Sequence, residues 1–133
     1  MPSYVADAAT VLRRIPIKHV KPNGSVAKSC FIQRQKGQDQ DGLSVSVADH
    51  ELIALHRSRF ELPEQCACAL KVVEIRNLGL DVASAQTTED PSHALITGIP
   101  DRTRGDAELV QMERCAQLLA GLAKRYTFPL QSL

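Results

Sequence analysis

The side chains with most chemical potential in this chain are four histidines, four cysteines and a group of arginines near the start. HELIALH, residues 50–56, places a histidine before a glutamate with a second histidine downstream, the way a zinc-protease helix opens. That motif needs histidines four apart, because at about 100° per residue a step of four returns the second imidazole to within about 40° of the first. His50 and His56 are six apart, so their rings diverge by roughly 120° around a helix axis and cannot share a tetrahedral ion unaided. The expectation is separate structural roles and no metal. Cys30, Cys66, Cys68 and Cys115 form no CxxC pair, and Cys66 and Cys68 would fall on one side of a strand. In a reducing compartment such cysteines act as small buried hydrophobes. A nucleophilic pair of Cys30 with a distant histidine is discounted, since four of each make some pairing easy to draw. With no GxSxG elbow, no GxxxxGK[ST] phosphate loop and no GxGxxG, hydrolase, nucleotidase and dinucleotide readings have no local support, and no cofactor is expected.

Six other positions carry the residue types of a polar site: Arg13, Arg14, Ser29, Ser44, Ser46 and His93. Arginine offers a planar fork for carboxylate or phosphate, and imidazole exchanges protons near neutrality. Should the chain catalyse anything, His93, Arg14 and Ser29 are the candidates. His93 follows DPS at a loop-to-strand junction, where reactive groups are often displayed. The plainer account makes Asp90 and Pro91 a turn, lets His93 donate to a backbone carbonyl, and pairs Arg14 with Asp90 or Glu89.

Charge is unevenly distributed. Residues 1–36 hold seven Lys or Arg against one acid, a net of +6, and the rest of the chain carries −5. Arg13, Arg14, Lys18, Lys21 and Lys28 are therefore the candidate binding residues for an anionic partner. With no Trp, two Tyr and three Phe, little remains for exposed bases to stack on, which weighs against an RNA-reading surface.

These side chains need elements to hold them. A chain of 133 residues, 44% hydrophobic and 23% charged, is read as one globular domain over 1–133. No apolar run is long enough to span a bilayer, and MPSYVADAATVLRR lacks the look of a signal peptide, so the expected place is the cytoplasm and no membrane partner is expected. Val5, Ala8, Ala9 and Leu12 recur at helical spacing behind Ser3, which predicts a leading helix over 1–12 or a frayed terminus. IPIKHV, KPNGS and VAKSCFI predict a hairpin, and QRQKGQDQDG a loop. LSVSV alternates cleanly and predicts a strand, with Leu43, Val45 and Val47 inward. ADHELIALHRSRF predicts a helix capped by Asp49 and closed by Pro63. CACALKVV predicts a strand leading into a helical turn stopped at Gly79, DVASAQTTEDPS a polar link, and HALITGI a strand. The strongest helical stripe runs through Leu109, Met112, Ala116, Leu119, Ala123 and Tyr126, behind a capping box from Thr103 to Asp106, leaving 127–133 as a tail. The fold class is α+β: a small mixed or mainly antiparallel sheet of about five strands, packed by a long C-terminal helix and one or two shorter helices.

Three stretches occur together in order: LRRIP near the start, the segment from CFI to LSV, and EDPSHALITG before the terminal helix. In this the chain resembles a family of small, stand-alone bacterial proteins without assigned activity, with an Arg-Arg-Ile-Pro start, a Phe, Leu-Ser-Val or Met-Ser-Val, and Glu-Asp-Pro-x-His-Ala-Leu. The likeness spans about residues 12 to 124. Where many members have Ser-Ser before the Phe, this chain has Lys28-Ser29-Cys30-Phe31. The resemblance brings no catalytic residues with it.

The leading functional expectation is a non-catalytic intracellular module, of accessory, immunity or antitoxin-like kind, that binds a protein partner. The alternative is a small enzyme or ligand-binding domain acting on a phosphorylated or carboxylated molecule through His93 and Arg14, which requires both side chains in one pocket. A third reading makes the basic N-terminal region a nucleic-acid surface.

Overall fold

The computed structural model describes residues 5–32 and 42–128. At its centre lies strand β1 (Thr10–Pro16), whose neighbouring side chains Val11 and Leu12 are both wholly buried. A strand sends successive side chains to opposite faces, so burial of two in a row marks a strand covered on both sides. β1 pairs on one side with β2 (Leu43–Val47) and on the other with β3 (Gln65–Lys71). β4 (Asp81–Ser84), β5 (His93–Thr97) and β6 (Lys124–Tyr126) complete a six-stranded sheet in the order β4-β5-β2-β1-β3-β6. Every pairing is antiparallel.

One face of the sheet carries Val11, Ile15, Leu43, Val45, Cys66, Cys68, Leu70, Ala94 and Ile96. It is sealed by α3 (Asp106–Leu122), whose Met112, Ala116 and Leu119 are fully buried, and by a 3-10 turn, Lys28–Phe31, that inserts Phe31. The opposite face is covered unequally. α1 (Ile53–Phe60) packs over β1 and β3, where Leu12, Phe60, Ala67 and Phe128 form a second, smaller cluster. Over β2 and β5 that face stays polar. α2 (Val72–Asn77) follows β3 directly, and Gly79 at φ 88° turns the chain into β4.

This is the α+β architecture expected, with the long C-terminal helix and two shorter ones. The leading helix is not formed. Residues 7 and 8 make a turn and Thr10 already belongs to β1, because Val11 and Leu12 gain two different cores as neighbours in a strand and only one on a helix. Ser3 lies outside the described residues. The N-terminal hairpin is reduced to a single bridge, Val20 to Val26, between 3-10 turns at Ile17–His19 and Lys28–Phe31. DVAS, read as link, forms the edge strand β4. The terminal helix stops at Leu122, and Lys124–Tyr126 pairs with β3. Its N-cap is Gly105 at φ 146°, while Thr103 sits in a separate turn held by the Asp101 carboxylate. Within the expected tail, Phe128 is buried, its ring 6.2 Å from Phe60 and 5.0 Å, edge-on, from Tyr126. Most of the polar tract 33–42 and the last five residues lie outside the described residues.

Candidate functional site

The β1–β2 ladder pairs Val11 with Val47 and Leu12 with Ser46 and goes no further. Beyond it, the side chain of Arg13 supplies a bond across the gap. Its Nη1 donates to the Ser44 carbonyl at 2.7 Å and its Nε to the Cys30 carbonyl at 2.8 Å, with the guanidinium 5.8 Å from the centre of the Phe31 ring. A cleft of about 440 Å³ opens where the strands part. Arg13 and Arg14 come from β1, Ser44, Val45 and Ser46 from β2, and Arg59 and Phe60 from the end of α1. Asp90 and His93 close it from the turn before β5 and the first residue of β5.

His93 is held at both ends of its backbone-and-ring unit. Its carbonyl accepts from Ala85 N–H at 2.9 Å, and its ring Nδ1 lies 2.9 Å from the Ala85 carbonyl. A carbonyl oxygen only accepts, so Nδ1 carries a proton, and in the neutral ring Nε2 presents a lone pair. Nε2 sits 3.2 Å from Ser44 Oγ, an exposed hydroxyl that donates to it. Register explains the meeting: β5 pairs Leu95 with Ser44 and His93 with Ser46, which sets His93 diagonally across from Ser44 on the polar face.

Asp90 is almost fully buried, and its carboxylate is already engaged. Oδ2 accepts from Ser46 Oγ at 3.1 Å, and Oδ1 accepts from both the backbone and the hydroxyl of Ser92. Burial pushes this acid up, but the Ser92 and Ser46 hydrogen bonds, with the nearby Arg59 charge, outweigh it and hold the carboxyl below its ordinary value. Asp90 is thereby fixed as an anion. Arg14 does not pair with it, nor with Glu89; the bond recorded for its guanidinium is a long one, 3.4 Å, to the Arg59 carbonyl. Arg59 donates from Nη2 to the Glu89 carbonyl at 3.2 Å, and its Nε is buried with no acceptor among the described residues. Among the described residues lining the cleft, three are arginines and one is a carboxylate, a net cationic set.

Of the residues singled out by sequence, Arg13, Arg14, Ser44, Ser46 and His93 meet here. Ser29 does not line the cleft; its hydroxyl lies 3.5 Å from Nδ1 of His19. Lys18, Lys21 and Lys28 are exposed on the excursion between β1 and the cleft-bearing strand β2, and none lines the cleft. Arg59 was missed by sequence reading, because ADHELIALHRSRF offers two arginines, Arg57 and Arg59, and only the tertiary placement of α1 selects one. Cys30 Sγ lies 3.6 Å from His19 Nδ1, but burial pushes its thiol up despite the opposing charge of Arg13, the wrong direction for a nucleophile. Cys66 and Cys115 are likewise raised by burial, and Cys68 is pushed up to about 12. His50 is exposed in a 3-10 turn, whereas His56 is buried between Phe60 and Phe128. Among the described residues no group of three or more His, Cys, Asp or Glu side chains could hold a metal ion, and no helix is long and apolar enough to cross a membrane.

No model of a known protein family matches the chain, and comparison with curated proteins and with solved structures gives no match either.

Proposed function

We propose that this chain binds a small phosphorylated or carboxylated molecule in the cleft between β1, β2 and β5, with Arg14 and Arg59 holding its anionic group and His93 beside it. One observation carries the reading: two guanidinium groups converge on an open cleft whose only lining carboxylate among the described residues is already satisfied by two serines. The stretches that carry the family resemblance also gather here, since residues 13–14, 44–45, 90 and 93 line the cleft and Phe31 lies beneath Arg13.

A docking module for a protein partner has less support. The exposed large apolar side chains, Ile17, Leu62, Val73, Val110 and Leu118, are divided among a turn, a loop, α2 and α3. The nucleic-acid reading would rest on Lys18, Lys21 and Lys28, which stand away from the cleft.

Calorimetric titration with inorganic phosphate and with succinate tests the proposal. Saturable binding is expected, weakened about tenfold or more by Arg14→Gln, the scale of one lost charge-assisted hydrogen bond, and weakened further by added salt. Absence of binding by both anions, or binding indifferent to Arg14→Gln, overturns it.

A further inference from the structure

The hydroxyl of Ser44, Nε2 of His93 and the carbonyl of Ala85 form one directed chain of hydrogen bonds, 3.2 Å and 2.9 Å long, opening on the arginine-lined cleft. We propose that Ser44 is a nucleophile and His93 its general base, in a site that hydrolyses esters whose acyl part carries a second carboxylate. This inference rests on the anion-binding reading above, which supplies the seat for that carboxylate.

Nucleophilic hydroxyl catalysis needs a base within hydrogen-bond reach, the base in its acceptor tautomer, and a third group to keep it there. All three requirements are met by residues described above. The Ala85 carbonyl plays the orienting part usually taken by a carboxylate: it holds a proton on Nδ1, so in the neutral ring Nε2 is the acceptor. Its own position is locked, because the Ala85 N–H donates back to the His93 carbonyl at 2.9 Å. Ser44 is exposed while the neighbouring Ser46 is buried on Asp90, which distinguishes a hydroxyl free to react from one spent on structure. Arg14 and Arg59 bring positive charge to the same cleft, available both for the distal carboxylate and for the oxyanion that forms on attack.

In the acylation step the Ser44 Oγ–H proton passes to His93 Nε2 as Oγ bonds to the ester carbonyl carbon. The tetrahedral oxyanion collapses, the carbon–oxygen bond to the leaving alcohol breaks, and His93 returns the proton to that alkoxide. Water then attacks the acyl-serine, giving its proton to His93. Collapse releases the acid, and the proton returns to Ser44 Oγ. The sum is ester plus water to acid plus alcohol, with no change of oxidation state.

The test uses the full chain with 4-nitrophenyl succinate as probe, reading nitrophenol release and the intact mass. A mass gain of one succinyl group on Ser44 is expected, with release about 100-fold or more faster than in Ser44→Ala, the scale of one positioned base. Ser44→Ala changes an exposed side chain and should fold as the parent does, and His93→Gln should match its loss. Release unaffected by Ser44→Ala, acylation of a different side chain, or turnover of 4-nitrophenyl phosphate in place of the succinyl ester each overturns the proposal. Succinate itself is titrated into Ser44→Ala in parallel. Tight succinate binding without acylation of the parent sinks the dyad and leaves the anion site standing, whereas no succinate binding sinks the anion site.

Discussion

His56 shows how one buried side chain can set a protein's response to acid. Its Nε2 accepts from the Asp49 N–H at 3.1 Å, so Nδ1 bears the proton, and that N–H is buried with no acceptor among the described residues. Burial lowers its pKa below the ordinary histidine value, with Asp90 and Asp49 pulling the other way. The folded state therefore resists protonation that the unfolded chain accepts. Stability from this group is present above about pH 6.5, the unfolded value, and is lost as pH falls below it, by up to about 1.4 kcal/mol for each pH unit until the folded pKa is reached. Urea denaturation at pH 7.5 and pH 5.5 should show this fall, and His56→Gln should flatten it. An unchanged pH dependence in His56→Gln would show that the group does not titrate differently on folding. Asp90 has the opposite character at the same scale, a buried acid kept ionised by serines, and its contribution fades only under stronger acid.

At the scale of elements, the cleft depends on β2 lying in register with β5, and Gly42 governs how β2 begins. Its φ is +140°, and a Cβ there would stand 2.5 Å from the Ile96 carbonyl oxygen, which is backbone and cannot swing aside. Gly42→Ala is expected to cost about 1–3 kcal/mol or more in urea denaturation and to weaken phosphate binding, since Ser44 and its bond to His93 move with the strand. The strand LSVSV was legible because one face of it is polar and the other apolar, and alternation is then unambiguous. β1 was not, because burial on both faces erases alternation, and Leu12 falls at helical spacing from Val5, Ala8 and Ala9 in the segment before the strand. β6 was hidden for a related reason: Tyr126 continues the helical spacing of α3, but its ring is used against Phe128, and only pairing with β3 reveals that. The polar positions Arg14, Ser44 and His93 could be named from sequence by residue type. Their convergence could not, because it follows from the strand order.

For the whole molecule, that order places sequence-distant segments side by side. β1 pairs with β3, some fifty residues on, while β2 is carried next to β5 rather than to its sequence neighbour β3. Such a sheet must close large loops before its pairings are rewarded. Refolding is expected on the millisecond-to-second scale, and stopped-flow far-UV circular dichroism suits a chain without tryptophan. Microsecond refolding would mean that local helices, not the central strands, organise the transition state. The same arrangement means the cleft exists only once the sheet is complete, so ligand binding and global folding should be lost together in denaturant.

Arg13 bridges the point where two strands separate, touching carbonyls on β2 and on the 3-10 turn while its own backbone stays in β1. The mouth of the cleft is thus propped by a side chain as well as by the β2–β5 ladder. A change at position 13 would therefore alter the opening between the strands and the anchoring of the Phe31 turn together.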